Sequence, residues 1–512
     1  MKILFTIISL IILNVSIVIS QHSYDSTKIS PNVQNIVNKL SKHKRVEGVF
    51  IGMVGTPSKI YQTGKKLRLR ATKEELVELT FHPNPIVRAY SFWGLAEKNE
   101  TGLLNILLDH LNDTVNISTM FADAVDEMRL GDFLIELVVP KYVFTADYLY
   151  PNKSILTENE KNILDSTLIF TDNNLEYTHN ALLRTKPELS YYERIKELAK
   201  RKNIYAMVAL AKYRNSENTD LIISSFYLPK NRNSYFESYY YTFWAFSEFP
   251  NESFEVFTKS VFDTIVKTAT DERDLKTLYK AIASYKKPDF LKYLKSSNAD
   301  LDYYSFIAMT EFSDPLYDSL LFRIWEERKI ITFEALNYLI KINRAKTIEL
   351  MIKSIEQENK YLNIPVISIW SKQIYKKALD FMFDTLLVTD KVSAMNIINS
   401  KLLKADFWEL EFYCSKAKDI DDSSLIKTIL MRLKTDTENT FNNDNYWALM
   451  KVFVSKNSKE LDKKTVQAIL KNEYAVKKHK YDEKELFDDI DLIRRSLNRV
   501  KSFDEEQLDK YR

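Results

Sequence analysis

Leu79-Thr80-Phe81-His82-Pro83-Asn84-Pro85-Ile86-Val87-Arg88-Ala89-Tyr90-Ser91-Phe92-Trp93-Gly94-Leu95-Ala96 is the stretch whose reading decides the fold. Asn84 followed by Pro85 opens a helix. A short polar side chain satisfies first-turn amides, and proline at the first helical position gives up an amide hydrogen that has no partner there. From Ile86 the large apolar residues recur at three- and four-residue spacing, the signature of a helix that buries a broad face. Upstream, Thr72-x-x-Glu75 has the form of a capping box, in which hydroxyl and carboxylate satisfy amides of the first turn. Residues 72 to 108 therefore read as one helix-turn-helix unit.

The helical spacing continues outward from this unit. Leu316, Leu320, Leu321 and Ile324 share one face, as do Ile348, Met351, Ile352 and Ile355. Thr157-x-x-Glu160 and Ser190-x-x-Glu193 predict two more capped starts, and Asp314 before Pro315 predicts a third. Four stretches echo one another: Ala209-Leu210-Ala211-Lys212-Tyr213, Ala245-Phe246-Ser247-Glu248-Phe249, Ala281-Ile282-Ala283-Ser284-Tyr285 and Ala308-Met309-Thr310-Glu311-Phe312. Their aromatics lie 36, 36 and 27 residues apart, and prolines 250, 288 and 315 fall in or just after the turns that follow. A period of this size carried by helix pairs predicts an α-solenoid, whose stacked units bury a continuous core.

Asn84-Pro85-Ile86-Val87-Arg88, with small Ala89 and packing positions Phe92 and Leu95, resembles a HEAT repeat of the bacterial type. Asparagine stands where that family usually has aspartate, which departs from its ladder of aspartate contacts between repeats. The units from Asn203 to Ser354 resemble HEAT-like repeats by pattern alone. The resemblance implies an all-α chain, a right-handed α-solenoid of stacked helix pairs, and mostly a binding platform. The expected organisation is a signal peptide at 1–20, an irregular N-terminal cap at 21–71, HEAT-like repeats at 72–458 and a charged helical C-terminal cap at 459–512. In that last segment Asp482-x-x-Glu485 and Ser502-x-x-Glu505 are the expected helix starts.

Composition agrees with a helical array. At roughly 150 residues per domain, 512 residues suggest about three ordinary domains, yet the chain has only 7 glycines and none after Gly131. Phosphate loops, nucleophile elbows and type I′ hairpins that depend on glycine are thereby excluded from Asp132 to Arg512. With 45% hydrophobic and 13% aromatic residues the chain can bury a large core. Lys plus Arg number 73 against 70 acidic residues, so no nucleic-acid partner is expected. Lys2 followed by the apolar run Ile3 to Ile19 predicts a secretory signal cleaved after Ser20, with an uncleaved anchor as the alternative. Membrane contact is expected only through that segment, and the location is periplasmic or secreted. The one cysteine, Cys414, rules out an intrachain disulfide and reads as a small buried hydrophobe rather than a reactive thiol.

No catalytic, cofactor-binding or metal-ligating residue is nominated. Gly48, Gly52, Gly55 and Gly64 match neither the Walker nor the dinucleotide spacing, and a turn or close-packing role is expected of them. The six histidines show no zinc spacing, Asp109-His110-Leu111-Asn112-Asp113 reads as a helix end, and Asp421-Asp422 and Asp488-Asp489 read as helix ends or loops. The run from Tyr235 to Phe246 puts aromatics on several sides of one helix. Core packing is the expected role, with a partner-binding surface as the functional alternative. These observations imply an exported scaffold that binds a protein or peptide and shows no intrinsic catalysis. Whether it is an enzyme stays open, and the alternative is a hydrolase or lyase with its site on the concave face of the array.

Overall fold

In the computed structural model, which describes residues 23–98, 100–139, 155–228, 239–269, 271–295, 299–356, 369–405, 407–441 and 445–510, the deciding stretch forms two helices around a tight turn. The chain is predominantly helical and divides into two compact units, Met1–Tyr285 and Lys286–Arg512. The predicted signal segment lies outside the described residues.

The first unit begins with α1 (Pro31–Leu40), β1 (Arg45–Ile51), β2 (Thr56–Pro57), α2 (Lys59–Arg70), α3 (Lys73–Leu79), α4 (Pro85–Glu97) and α5 (Leu103–Asp109). After them come β3 (Asn116–Ala122), β4 (Ala124–Arg129) and α6 (Leu130–Val138). The four strands make a mixed sheet in the order β2-β1-β3-β4, with β1 parallel to β3 and the other pairs antiparallel. This sheet corrects the all-α expectation. Its strands β1 and β2 lie within residues 21–71 and β3 and β4 within residues 72–458. The local reason is visible in Asn116–Ala122, where Ile117 and Thr119 face inward and alternate with less buried residues, a period of two within a helical chain.

The unit continues with α7 (Glu158–Phe170), α8 (Tyr177–Arg184), α9 (Leu189–Lys200), α10 (Ile204–Ala211), α11 (Thr219–Ile223), α12 (Tyr240–Glu248), α13 (Glu252–Thr268) and α14 (Glu272–Ser284). Helices pack on their next-but-one neighbours. α2 meets α4 and α4 meets α6, while α8, α10, α12 and α14 follow one another in a second row. α5, α7, α9, α11 and α13 do the same in another row. The sequence echoes fall on the close contacts of this packing: Ala209, Leu210 and Ala211 on α10, Ala245, Phe246 and Ser247 on α12, and Ala281, Ile282 and Ala283 on α14 are all buried. Small residues beside one large apolar residue let successive helices approach closely and still fill the space between them.

The second unit holds α15 (Leu291–Leu294), α16 (Ala299–Phe312), α17 (Asp318–Arg328), α18 (Phe333–Ile342), α19 (Arg344–Glu356), α20 (Ile369–Thr389) and α21 (Lys391–Lys404). It ends with α22 (Phe407–Asp419), α23 (Ser423–Thr435), α24 (Glu438–Phe441), α25 (Asn445–Ser455), α26 (Lys459–Leu470), α27 (Glu473–His479) and α28 (Glu483–Lys510). The same skip recurs in α16–α18–α20, α19–α21–α23 and α22–α25–α28, the last with the short α24 and the pair α26–α27 intervening.

Thr72 and Thr157 form the predicted capping boxes, and Asp314 and Asp482 cap the turns they precede. Two predicted starts are displaced. α9 begins at Leu189 with extended Glu188 as its N-cap, so Ser190 lies within the first turn and not ahead of it. Ser502 lies inside α28, which runs unbroken from Glu483 to Lys510.

Helix C-termini are closed in two ways that need no glycine. Lys202, Arg214, Lys286, Ser313, Lys329, Asn457 and Lys480 follow helices with positive φ between 43° and 67°, the conformation usually left to glycine. The second way is a side chain from a later segment, 25 to 43 residues on, that donates to a last-turn or C-cap carbonyl. Asn84 Nδ2 reaches Ser41 O at 2.9 Å, Lys98 Nζ reaches Ala71 O at 3.0 Å and Arg194 Nε reaches Ile169 O at 2.9 Å. Lys212 binds the carbonyls of Leu183 and Thr185. In the second unit Arg432 binds Leu402 O at 2.9 Å and Ala405 O at 2.8 Å, Lys456 binds Ile420 O at 2.8 Å, and Asn472 binds Leu433 O at 3.0 Å and Asp436 O at 2.6 Å.

The asparagine at position 84 acquires a reason here. Its Oδ1 accepts from the amides of Ile86 and Val87 while its Nδ2 donates back to Ser41. Asn472 repeats the arrangement, accepting from Ala475 N and donating to two carbonyls. An aspartate can cap but cannot donate, and it would set its charge against those carbonyls. Asn472→Asp is therefore expected to cost about 2–4 kcal/mol in urea unfolding. Asn203, whose Oδ1 caps Ala206 N, should tolerate Asp within about 0.5 kcal/mol. Equal losses at the two positions would remove the reach-back bond as the cause.

Candidate functional site

Among the described residues of the first unit, a water-open cleft of about 630 Å³ lies where β4, α8, α9 and the loop after α7 converge. Its floor is built locally. Asn173 folds the loop, its Nδ2 donating to Leu168 O at 2.9 Å and its Oδ1 accepting from Leu175 N at 3.0 Å and Thr178 Oγ1 at 2.6 Å. Asp132 on α6 accepts from the amides of Glu176 and Tyr177, both at 3.0 Å, and so starts α8 from outside. Burial nevertheless raises its carboxyl above the ordinary value, against the two amide bonds.

Arginines line the wall. Arg194, besides closing α7, binds Asp172 at 2.6 Å and Glu197 at 2.9 Å, and Arg201 reaches the same two carboxylates. Asp172 and Glu197 are held below the ordinary carboxylate range, in each case first by the hydrogen bond from Arg194. Arg129, the last residue of β4 and paired there with Asn116, also lines the cleft, and its side chain makes no hydrogen bond or ion pair within the described residues. His179 on α8 lies in the lining and stacks on Tyr205 of α10 with ring centres 3.9 Å apart. The cleft thus offers a guanidinium with no hydrogen-bond or ion-pair partner among the described residues, the amides of Asn174 and Asn203 and a stacked imidazole. Its carboxylates are locked in ion pairs.

None of the cleft residues had been singled out as a site in the sequence. Asp172 comes from the loop after α7 and Arg194 and Arg201 from α9 and its C-cap, and together they carry no motif. A clue was available in Arg194 and Arg201, two cations seven positions apart on one helix face.

The residues that were weighed have packing roles. Tyr241, Phe243 and Phe246 are buried in α12, Trp244 donates its Nε1 to Glu248 at 2.9 Å, and Tyr235 to Ser238 lie outside the described residues. His110 is buried with Nε2 3.0 Å from Thr80 Oγ1, and Asp113 pairs with Arg88 at 2.8 Å, so the Asp109–Asp113 segment is a braced helix end. Asp422 caps α23, and Asp489 accepts from Tyr446 at 3.3 Å. Cys414 is buried, and desolvation pushes its thiol up to about 12. Gly52 and Gly55 have positive φ at the β1–β2 tip. Gly64 sits against the ring of Tyr90, where an added Cβ would come within 2.3 Å.

That close approach belongs to a buried charge. Arg68 is 1% exposed, pairs with Glu97 at 2.7 Å and lies over Trp93 and Tyr61 at 4.5 and 5.0 Å. Cation–π contact substitutes for water on this guanidinium, whose terminal nitrogens have no hydrogen-bond partner among the described residues.

Among the described residues, no group of three or more His, Cys, Asp and Glu is placed to hold a metal ion, and no helix is long and apolar enough to cross a membrane. No protein-family model, curated protein or solved structure compared with the chain matches it.

Two histidines make stability depend on pH. Burial lowers both His82, which accepts from Asn84 N at 3.0 Å, and His110 below the ordinary 6.5. The unfolded chain therefore takes up protons first, so their contribution is complete above about pH 6.5 and declines as the pH falls. Urea midpoints measured between pH 7.5 and 5.0 should fall with acidification, and less steeply in His110→Gln. An identical slope in the variant would contradict a role for His110.

Proposed function

We propose that the chain is an exported HEAT-like scaffold, a right-handed α-solenoid of stacked helix pairs, that binds a protein or peptide partner. The observation that supports it most is the recurrence, in both units, of next-but-one helix packing combined with carbonyls closed from a later segment. Repeats that each complete their neighbour form extended arrays, and such arrays serve chiefly as binding surfaces. The predicted signal at residues 1–20 supports export.

An enzyme is the second reading, favoured by the cleft that brings His179 and Asp172 to one surface. Against it, Asp172 is exposed and held ionised by arginine, whereas a general acid or base needs an acidity tuned toward the working pH.

Expression of the full chain in an exporting host tests both parts. The expected results are an extracytoplasmic protein whose intact mass begins at Gln21, and stoichiometric co-purification of one protein or peptide from the envelope or medium. Retention of the intact chain in the cytoplasm would contradict export. Turnover of a small substrate with no stoichiometric partner would favour the enzyme.

A further inference from the structure

We infer that the cleft between β4 and α9 binds a carboxylate carried by a peptide segment of the partner, with Arg129 as the receiving cation. The inference rests on the binding reading above and names its chemistry. A volume of about 630 Å³ suits a few residues of peptide. The charges facing it are Arg129, Arg194, Arg201 and Asp172, with Glu197 behind. Arg194 and Arg201 are balanced by Asp172 and Glu197, so those four groups form a wall of low net charge.

Arg129 is different. Its side chain has no hydrogen bond or ion pair among the described residues. The buried acid Asp132 feels it through space and has its oxygens committed to the amides of Glu176 and Tyr177. A guanidinium presents a planar fork of donors, and carboxylate oxygens match it in paired hydrogen bonds. Asn203 uses its Oδ1 as a cap, which leaves its amide hydrogens for a peptide carbonyl beside the carboxylate.

The test uses the full chain and three probes: an acetylated, amidated hexapeptide of glutamate, its glutamine counterpart, and inorganic phosphate. The glutamate peptide should bind, more weakly at higher salt, and the glutamine peptide about tenfold or more weaker. Arg129→Gln should lose the same factor, and Arg129→Lys should recover part of it. Arg184→Gln, which removes an arginine paired with Asp165 outside the cleft, should bind as the wild type does. Equal affinity for the two peptides, or an unchanged Arg129→Gln, would overturn the inference. So would phosphate binding without glutamate-peptide binding, which would reassign the cleft to free phosphate. If Arg129→Gln still co-purifies with the wild-type partner in full amount, the scaffold reading stands and the cleft assignment fails.

Discussion

The closing of helix C-termini is the constraint on which the rest of this structure depends. Every α-helix ends in carbonyls with no intrahelical donor, and a chain without glycine after Gly131 lacks the residue that most cheaply turns back to satisfy them. Two substitutes recur. Lysine, arginine, serine and asparagine adopt the left-handed conformation after helices, and side chains from later segments donate to the exposed carbonyls. The second device makes each helix end depend on a segment that folds beside it. Local termination and long-range packing are then one event, and α7, α8, α21 and α23 acquire complete C-termini only when their neighbours are in place.

Much of the helical content was legible because helix starts depend on a few adjacent residues. Thr72 with Glu75, Thr157 with Glu160 and Asp314 before Pro315 act within one turn, so spacing alone reveals them. The alanine-aromatic echoes were legible for a related reason, since stacked helices of one row meet through the same positions. Ser190 and Ser502 show the limit: a capping pattern cannot tell a helix start from a position inside a helix already begun. The sheet was missed because its central pair, β1 and β3, is parallel and separated by four helices, although each strand is also one arm of an antiparallel hairpin, β1–β2 around Gly52 and Gly55 and β3–β4 around Ala122. Asn84 was read as a departure from a family pattern. Only the neighbouring Ser41 carbonyl shows why an amide is required there.

The cleft lay beyond sequence reading for the same physical reason. Its arginines and carboxylates gain meaning from contacts between α7, α9 and the loop that joins α7 to α8, and a linear chain does not display which cations are neutralised and which are left over. Arg129 and Arg194 look alike in sequence, yet one is enclosed by carbonyl and carboxylate oxygens and the other ends a strand beside open space. The buried Arg68 makes the converse point. A charge in a core can be accommodated by aromatic faces and a single carboxylate, provided that Gly64 lets Tyr90 approach α2.

The central claim is that neighbouring helices share stability through carbonyls closed from a later segment. Arg432 is its clearest instance, 1% exposed and bound to Leu402, Ala405, Asp436 and Thr440. Native-state hydrogen exchange on Arg432→Leu tests it most directly. The account predicts that amides in the last turns of α21 lose protection together with those of α23, although the substitution lies 27 residues beyond Ala405. Loss confined to α23, with α21 as protected as in the wild type, would contradict it.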